Sequence, residues 1–241
     1  MMFYLFLSKV DGKTADNFFM YVIDPGCPSD NEQVLLLRNK IQSLSLNTYV
    51  AVGEAQNEIS IGSGIVYNMP SQVVIHQSGY PDISFREHFS TKSFSSPPYY
   101  QITYSRWGEP DGDSTNGWNV ELIHHKLYST KLPSDVQHFE LTNGYNLVTA
   151  NYAHARRINR ANQLIYTLGG GIVLTHPESV VRGHKFNEKG GLTLFDGDGY
   201  FVSGIVVQAS IGFQHYITKN LTVYIEAKST FASADVPVYG G

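Results

Sequence analysis

Residues 201–238, FVSGIVVQASIGFQHYITKNLTVYIEAKSTFASADVPV, decide the fold class of this chain. In the first half of the stretch, small polar positions such as Gln208 alternate with apolar positions such as Ile211. After the short turn at 218–220 the alternation resumes and continues for more than ten residues. A period of two residues is the signature of a β-strand, so the stretch predicts two long antiparallel strands joined by a tight turn.

The same two-residue period extends back along the chain. The other alternating segments are 46–54, 57–67, 71–78, 82–92, 100–105, 118–122, 139–147 and 163–175. One face of these segments carries mostly Gly, Ser, Thr, Gln and Asn, and the other face is aliphatic and aromatic. Several segments exceed the five or six residues usual in soluble proteins and reach the 9–11 residues that cross a bilayer. We therefore expect an all-β protein, an antiparallel up-and-down β-barrel of about eight to ten strands.

The composition supports a barrel and excludes several classes of function. Only 16% of the 241 residues are charged, whereas ordinary soluble domains have about 25%. The net charge of −4 argues against a nucleic-acid partner, because binding by phosphate neutralisation needs a basic face. The single cysteine, Cys27, excludes an intramolecular disulfide and any multi-cysteine metal site. We expect no cofactor.

The paired strands of 201–238 resemble those of bacterial outer-membrane β-barrel proteins. The resemblance implies a location in the outer membrane, contact with membrane lipid, and a structural role or a porin-like role as a conduit for a small solute or ligand, without catalysis. Val238–Gly241 looks like the start of a loop. The barrel is therefore expected to lack its last strand or to close differently. A soluble lipocalin-like carrier of an apolar ligand stays open as an alternative, with the apolar face turned inward.

The start of the chain differs from the rest and suggests a division into residues 1–45 and a barrel domain, 46–241. Ser29 and Glu32 form a capping box, the usual signature of a helix N-terminus. Apolar residues then follow at helical spacing. These residues are Val34, Leu37, Ile41 and Leu44. The pattern predicts a short amphipathic helix at about 31–44.

A barrel-borne lipid-modifying hydrolase is the second alternative function. Such enzymes of the outer membrane place a histidine, a serine and an acid at the barrel wall, and the architecture expected here resembles theirs. The resemblance makes His124, His125 and Ser129 weak catalytic candidates. Nothing in their spacing distinguishes them, so the sequence favours a protein that is not an enzyme.

The charged residues of the strands suggest a polar network inside the barrel. By alternation, the expected members are Arg86, His88, Glu121, Glu140, Glu226 and Lys228. A network of this kind either fills a narrow lumen with ion pairs or forms a ligand site, and both interpretations stay open. Asp111 and Asp113 lie in an acidic loop that resembles a calcium loop, but its glycine is one position too late for an EF-hand. We expect a solvated turn there and no metal.

Overall fold

The computed structural model describes residues 36–54, 56–186, 191–194 and 197–239. Over this part of the chain it consists of β-strands and loops, and it has no helix long and apolar enough to cross a membrane. In chain order the strands are β1 (Leu36–Glu54), β2 (Asn57–Asn68), β3 (Ser71–Ile75), β4 (Ile83–Glu87), β5 (Tyr100–Trp107), β6 (Ser114–Tyr128), β7 (Val136–Asn159), β8 (Asn162–Thr175), β9 (Glu178–Val181), β10 (His184–Lys185), β11 (Leu192–Leu194), β12 (Gly197–Tyr216) and β13 (Leu221–Pro237).

Eight of these strands form a closed ring. The order around the ring is β1, β2, β5, β6, β7, β8, β12 and β13, and every neighbouring pair is antiparallel. The seam between β13 and β1 runs from the pair Leu36–Pro237 to the pair Val52–Leu221. The predicted fold class, an antiparallel β-barrel of eight to ten strands, is confirmed. Because β13 itself pairs with β1, the described ring closes without a further strand.

The two ends of the barrel are built differently. At one end, here called the turn end, four short connections join β1 to β2, β5 to β6, β7 to β8, and β12 to β13. The opposite end, the loop end, carries the longer connections 69–99, 129–135 and 176–196. β1 begins and β13 finishes at the loop end as well. The hairpin β3–β4 pairs with the first part of β1, and β9 pairs with the first part of β7.

The expected helix at 31–44 is wrong for the residues that the structure describes. Residues 36–44 belong to β1, which pairs along most of its length with β13, so the barrel includes residues before 46. Ile41 is buried, whereas Leu44 is 43% exposed, because an odd spacing places two strand residues on opposite faces. The helical spacing is therefore coincidental here. Residues 31–35, the capping box and Cys27 lie outside the described residues.

Large apolar side chains cover the outer face of the barrel. Exposed members of this apolar belt are Leu44, Leu46, Val50, Val52, Ile59, Ile61, Ile65, Tyr67, Ile102, Tyr104, Trp118, Val120, Tyr152, Tyr166, Leu168, Ile172, Val207, Ile211, Phe213, Ile225 and Phe231. On β1 the belt extends from Leu44 to Val52, about 27 Å along the strand at 3.4 Å per residue. With a strand tilt of 35–45°, this is about 20 Å along the barrel axis, close to the roughly 25 Å of a transmembrane barrel.

The interior changes character between the two ends. Towards the turn end the buried inward-facing side chains are mostly polar. Towards the loop end they form an apolar cluster, here called the loop-end core, that includes Ile41, Phe89, Phe139, Leu147, Val173, Val206 and Val236. The hairpin β3–β4 contributes Val73, Ile75 and Ile83 to this cluster and packs across the end of the barrel. The loop end thus has the apolar core of a soluble domain.

Candidate functional site: the charged interior

A buried ion-pair cluster lies inside the ring at the boundary between its polar and apolar halves. The Lys228 side chain, on β13, is 2% exposed, and its ammonium group donates to the carboxylate of Glu121 on β6. Its Nζ lies 3.3 Å from Oε2 of Glu226 and donates to Oε1 of Gln101 over 3.1 Å. Glu226 and Lys228 share a face because they are two residues apart on one strand. One cation therefore lies between two carboxylates in a site closed to solvent.

Two stacked tyrosines hold one side of this cluster. The hydroxyl of Tyr49 donates to Oε2 of Glu226 over 2.6 Å. Its ring stacks on the ring of Tyr224, with centroids 4.2 Å apart and planes 4° from parallel. Gly62 makes room for this ring, because a Cβ at position 62 would lie 2.3 Å from a carbon of Tyr49. Tyr49 is thus fixed by stacking, by its hydrogen bond and by the glycine on the neighbouring strand.

Side-chain amides complete the cluster and fill the space beside it. Gln208 donates to Oε2 of Glu121 over 2.6 Å, and its amide also lies within 3.1 Å of acceptors on Thr149 and Asn151. Nearer the turn end, Gln214 donates to Glu58 over 2.9 Å. The remaining space in this region is about 20 Å³, which holds about one water molecule. Eight strands leave an interior just wide enough for side chains, and here the side chains fill it.

Three residues expected in the network lie elsewhere. Arg86 and His88 are exposed at the loop end, at the end of β4 and just after it. Glu140 is opposite Tyr128 and Glu178 in the strand register, also at the loop end. Arg86 and His88 lie in or just after a hairpin strand that is not part of the ring, so alternation around the ring does not apply to them. Glu140 alternates with Phe139 and Leu141, which are buried, so its face was assigned wrongly.

Sequence reasoning also missed the uncharged members of the cluster. The charged groups are contacted directly by Tyr49, Gln101 and Gln208. These three residues are uncharged, so a search for charged residues on the strands does not find them. A usable signal existed, because Gln208 lies on the polar face of the 201–238 alternation. Buried polar side chains need hydrogen-bond partners, so inward-facing amides are expected around an inward-facing ion pair.

The histidine pair is divided between the two faces of β6. Nδ1 of His124 lies 2.8 Å from Oδ1 of Asn146, and its ring stacks on Tyr100 with centroids 4.9 Å apart. His125 faces the interior, where its Nε2 lies 3.1 Å from Oγ1 of Thr91.

The structure does not assemble the candidate catalytic residues. The hydroxyl of Ser129 donates to the backbone carbonyl of Phe139 over 2.8 Å. Within the described chain, neither His124 nor His125 is hydrogen-bonded to Ser129 or to a carboxylate. The nucleophile, base and acid of a hydrolase are therefore not brought together at these residues.

The acidic loop lies in the connection between β5 and β6 at the turn end. Asp111 and Asp113 are exposed, and the backbone of Asp111 pairs with that of Ser114. Over the described ranges, no group of three His, Cys, Asp or Glu side chains is placed to hold a metal ion.

Comparisons with known proteins find similarity in structure only. No family model matches the chain, and no curated protein matches its sequence. The chain is similar to the crystal structure of Ail, the attachment invasion locus protein of Yersinia pestis, with a TM-score of 0.31 and 9% identity over 83% of this chain and 97% of that one. It is similar to the outer membrane protease OmpT of Escherichia coli, with a TM-score of 0.26 and 8% identity over 88% of this chain and 99% of that one.

The architecture itself is the one that the resemblance of residues 201–238 implies. The ring is closed and antiparallel, its outer face is apolar, and its inner face is polar in the half towards the turn end. These are the features of bacterial outer-membrane β-barrel proteins.

Proposed function

We propose that this chain is a transmembrane β-barrel of the bacterial outer membrane with a closed interior, and that its role is structural. The barrel anchors the folded loop end to the bilayer. The single observation that carries this proposal is the exposed apolar belt around an interior that holds a buried ion-pair cluster.

The direction of the two faces supports a membrane over water as the surrounding solvent. A soluble carrier of an apolar ligand has its apolar face inside the barrel and polar side chains outside, which is the reverse of this arrangement. In water, the belt would expose a continuous apolar surface of a kind that soluble monomers rarely have. In a bilayer the same surface contacts lipid acyl chains, and closure of the ring leaves no strand without a neighbour on each side.

The filled interior favours a structural role over a conduit. The ion-pair cluster at Lys228 and the stacked rings of Tyr49 and Tyr224 occupy the polar half. The loop-end core occupies the other half. A solute would have to break both layers to pass, so we expect the barrel to give no stepwise conductance in a planar lipid bilayer.

The two tryptophans allow a direct test of the face assignment. Trp118 belongs to the outer apolar belt, whereas Trp107 lines the small internal space near Glu58. The test uses W107F and W118F, each of which keeps one tryptophan. Each protein is refolded into phosphatidylcholine vesicles with and without lipid brominated on its acyl chains. We expect bromine to quench Trp118 strongly and Trp107 weakly, together with heat-modifiable mobility in gels.

The possible outcomes separate the three functions considered. Equal, weak quenching of both tryptophans in a protein that stays soluble without detergent would overturn the membrane proposal. Strong quenching of Trp107 alone would mean that the face assignment is wrong, and it would also overturn the proposal. Ion conductance with the expected quenching would keep the membrane barrel and replace the structural role by a conduit.

A further inference from the structure

The barrel wall has a gap beside β5, because this strand is shorter than its neighbours. β2 pairs with β5 only from Asn57 to Gly62, so residues 63–68 of β2 extend beyond it. On the other side, the register ends at the pair Tyr100–His124, and β6 continues to Tyr128. Between these two extensions no strand of the described ring completes the wall. A loop does so instead.

Residues 89–99, here called the wall loop, fill this gap by bonding to both neighbours. On the β2 side, Ser63 donates its hydroxyl to the carbonyl of Tyr99 over 2.7 Å, and the Val66 amide donates to the hydroxyl of Ser93 over 3.3 Å. On the β6 side, the backbones of Ser90 and Tyr128 exchange hydrogen bonds of 2.9 and 2.8 Å. The wall loop is therefore an irregular part of the barrel wall.

The wall loop divides its side chains between the interior and the outside. Phe89, Thr91 and Tyr99 are buried, and Phe89 belongs to the loop-end core. Phe94 is 74% exposed, the highest exposure among the large hydrophobic side chains of the described residues. The wall loop bonds to β2 at the height of Ile65 and Tyr67, two exposed members of the apolar belt. Phe94 therefore extends the belt at its loop-end edge.

Two lysines flank the same tyrosine at the base of this loop. Nζ of Lys92 lies 4.0 Å from the centre of the Tyr128 ring, and Nζ of Lys126 lies 5.4 Å from it. Lys126 is fully buried and donates to the carbonyl of Ser95 over 2.9 Å, while Lys92 is exposed. Within the described chain, no carboxylate forms an ion pair with either lysine. Glu140 is opposite Tyr128 in the register but is not paired with them.

The irregular backbone fixes the depth of the wall loop in a bilayer. Lipid-exposed loops do not occur within the hydrocarbon region, because their backbone groups would lack hydrogen-bond partners there. We therefore expect the exposed part of the wall loop around Phe94 to lie where the apolar belt ends and the lipid head groups begin, a level at which aromatic side chains and lysines are favoured.

We propose that the wall loop is a binding site for the head group of an anionic lipid, with Phe94 inserted beside it among the first acyl carbons. Lys92 contacts the negative head group, and Lys126 adds positive charge from behind the Tyr128 ring. This inference rests on the proposed membrane location and adds a lipid class and a position to it.

The experiment uses a tryptophan at position 94 as a local reporter. The reporter protein is F94W combined with W107F and W118F, refolded into phosphatidylcholine vesicles. These vesicles contain equal mole fractions of either brominated phosphatidylglycerol or brominated phosphatidylcholine, with the bromine near the head-group end of the acyl chain. A cation near an anionic surface is worth about 1 kcal/mol, which corresponds to roughly a fivefold preference for the anionic lipid.

Three variants of the reporter complete the design. K92Q should reduce the preference towards one, and K92R should keep it. K185Q is the matched control, because Lys185 is exposed on β10 and its loss removes the same charge away from the wall loop. We expect K185Q to leave the preference unchanged.

The outcomes distinguish this inference from the membrane proposal. If the tryptophan at position 94 is not quenched while Trp118 in W107F is, the barrel is in the bilayer and the wall-loop proposal is wrong. Quenching without a preference for phosphatidylglycerol, or a preference that K92Q leaves intact, would also overturn the head-group site. If Trp118 is not quenched either, the proposed function itself fails.

Discussion

Replacing Lys228 by methionine removes the cation that lies between Glu121 and Glu226. The side chain is 2% exposed, so water cannot easily take the place of the ammonium group. Glu226 keeps the hydrogen bond from Tyr49, and Glu121 keeps the one from Gln208, but neither retains a positive partner. Breaking one partner out of a buried ion pair costs about 3–5 kcal/mol, because a charge is left uncompensated. We expect K228M to lower the free energy of unfolding by about this amount.

The measurement is equilibrium unfolding by urea of protein refolded into phosphatidylcholine vesicles, followed by tryptophan fluorescence. The double variant K228M/E121Q removes one of the uncompensated carboxylates, so it should recover part of the lost stability. K185M is the matched control for the loss of a lysine at an exposed position, where substitutions usually change stability by less than about 0.5 kcal/mol. If K228M lowered the free energy of unfolding by less than about 1 kcal/mol, the value typical of an exposed ion pair, the reasoning from a buried cluster would be refuted.

Three further perturbations test other parts of the structure. L168K places a lysine at a belt position that is 66% exposed. In vesicles it should lower the free energy of unfolding by about 2–4 kcal/mol, whereas Q72K, at an exposed position of the loop end, should leave it unchanged. Equal effects of the two substitutions would contradict a lipid-facing belt. G62V places a side chain where the ring of Tyr49 lies, and should lower the free energy of unfolding by about 1–3 kcal/mol in the same urea assay. An unchanged unfolding midpoint would mean that the ring is not held there. Phospholipid vesicles incubated with S129A or H124A should release as much fatty acid as vesicles incubated with the unmodified protein. If the unmodified protein released fatty acid and either variant did not, the enzyme alternative would be restored.

The faces of the last two strands could be predicted from the sequence, whereas the apolar face of residues 139–147 lies in the loop-end core and not towards lipid. Glu226 and Lys228 share the polar face of the last strand, and the structure places both inside the ring beside Glu121. The outer apolar belt follows from the same two-residue period. This succeeds because strand geometry alone, with no tertiary information, fixes which residues share a side.

Depth and pairing could not be predicted in the same way. Arg86 and Glu140 have the expected spacing but lie at the loop end, because their height depends on which strands pair and in which register. The short β5 and the wall loop that takes the place of its continuation could not be predicted either, because they result from the lengths of the neighbouring strands. Ile41 and Leu44 match a helical stripe, and only the pairing of β1 with β13 overrides it.

The concentration of all long connections at one end has a consequence for assembly. A barrel that enters a bilayer with its turn end leading carries only four short connections across the hydrocarbon. Entry with the loop end leading would require the loop-end core, the β3–β4 hairpin and the outer ends of β1 and β13 to cross the hydrocarbon. Translocating polar backbone and charge is the dominant cost of crossing lipid. For a barrel in the proposed membrane location, we therefore expect the loop end to remain on the side from which the barrel enters.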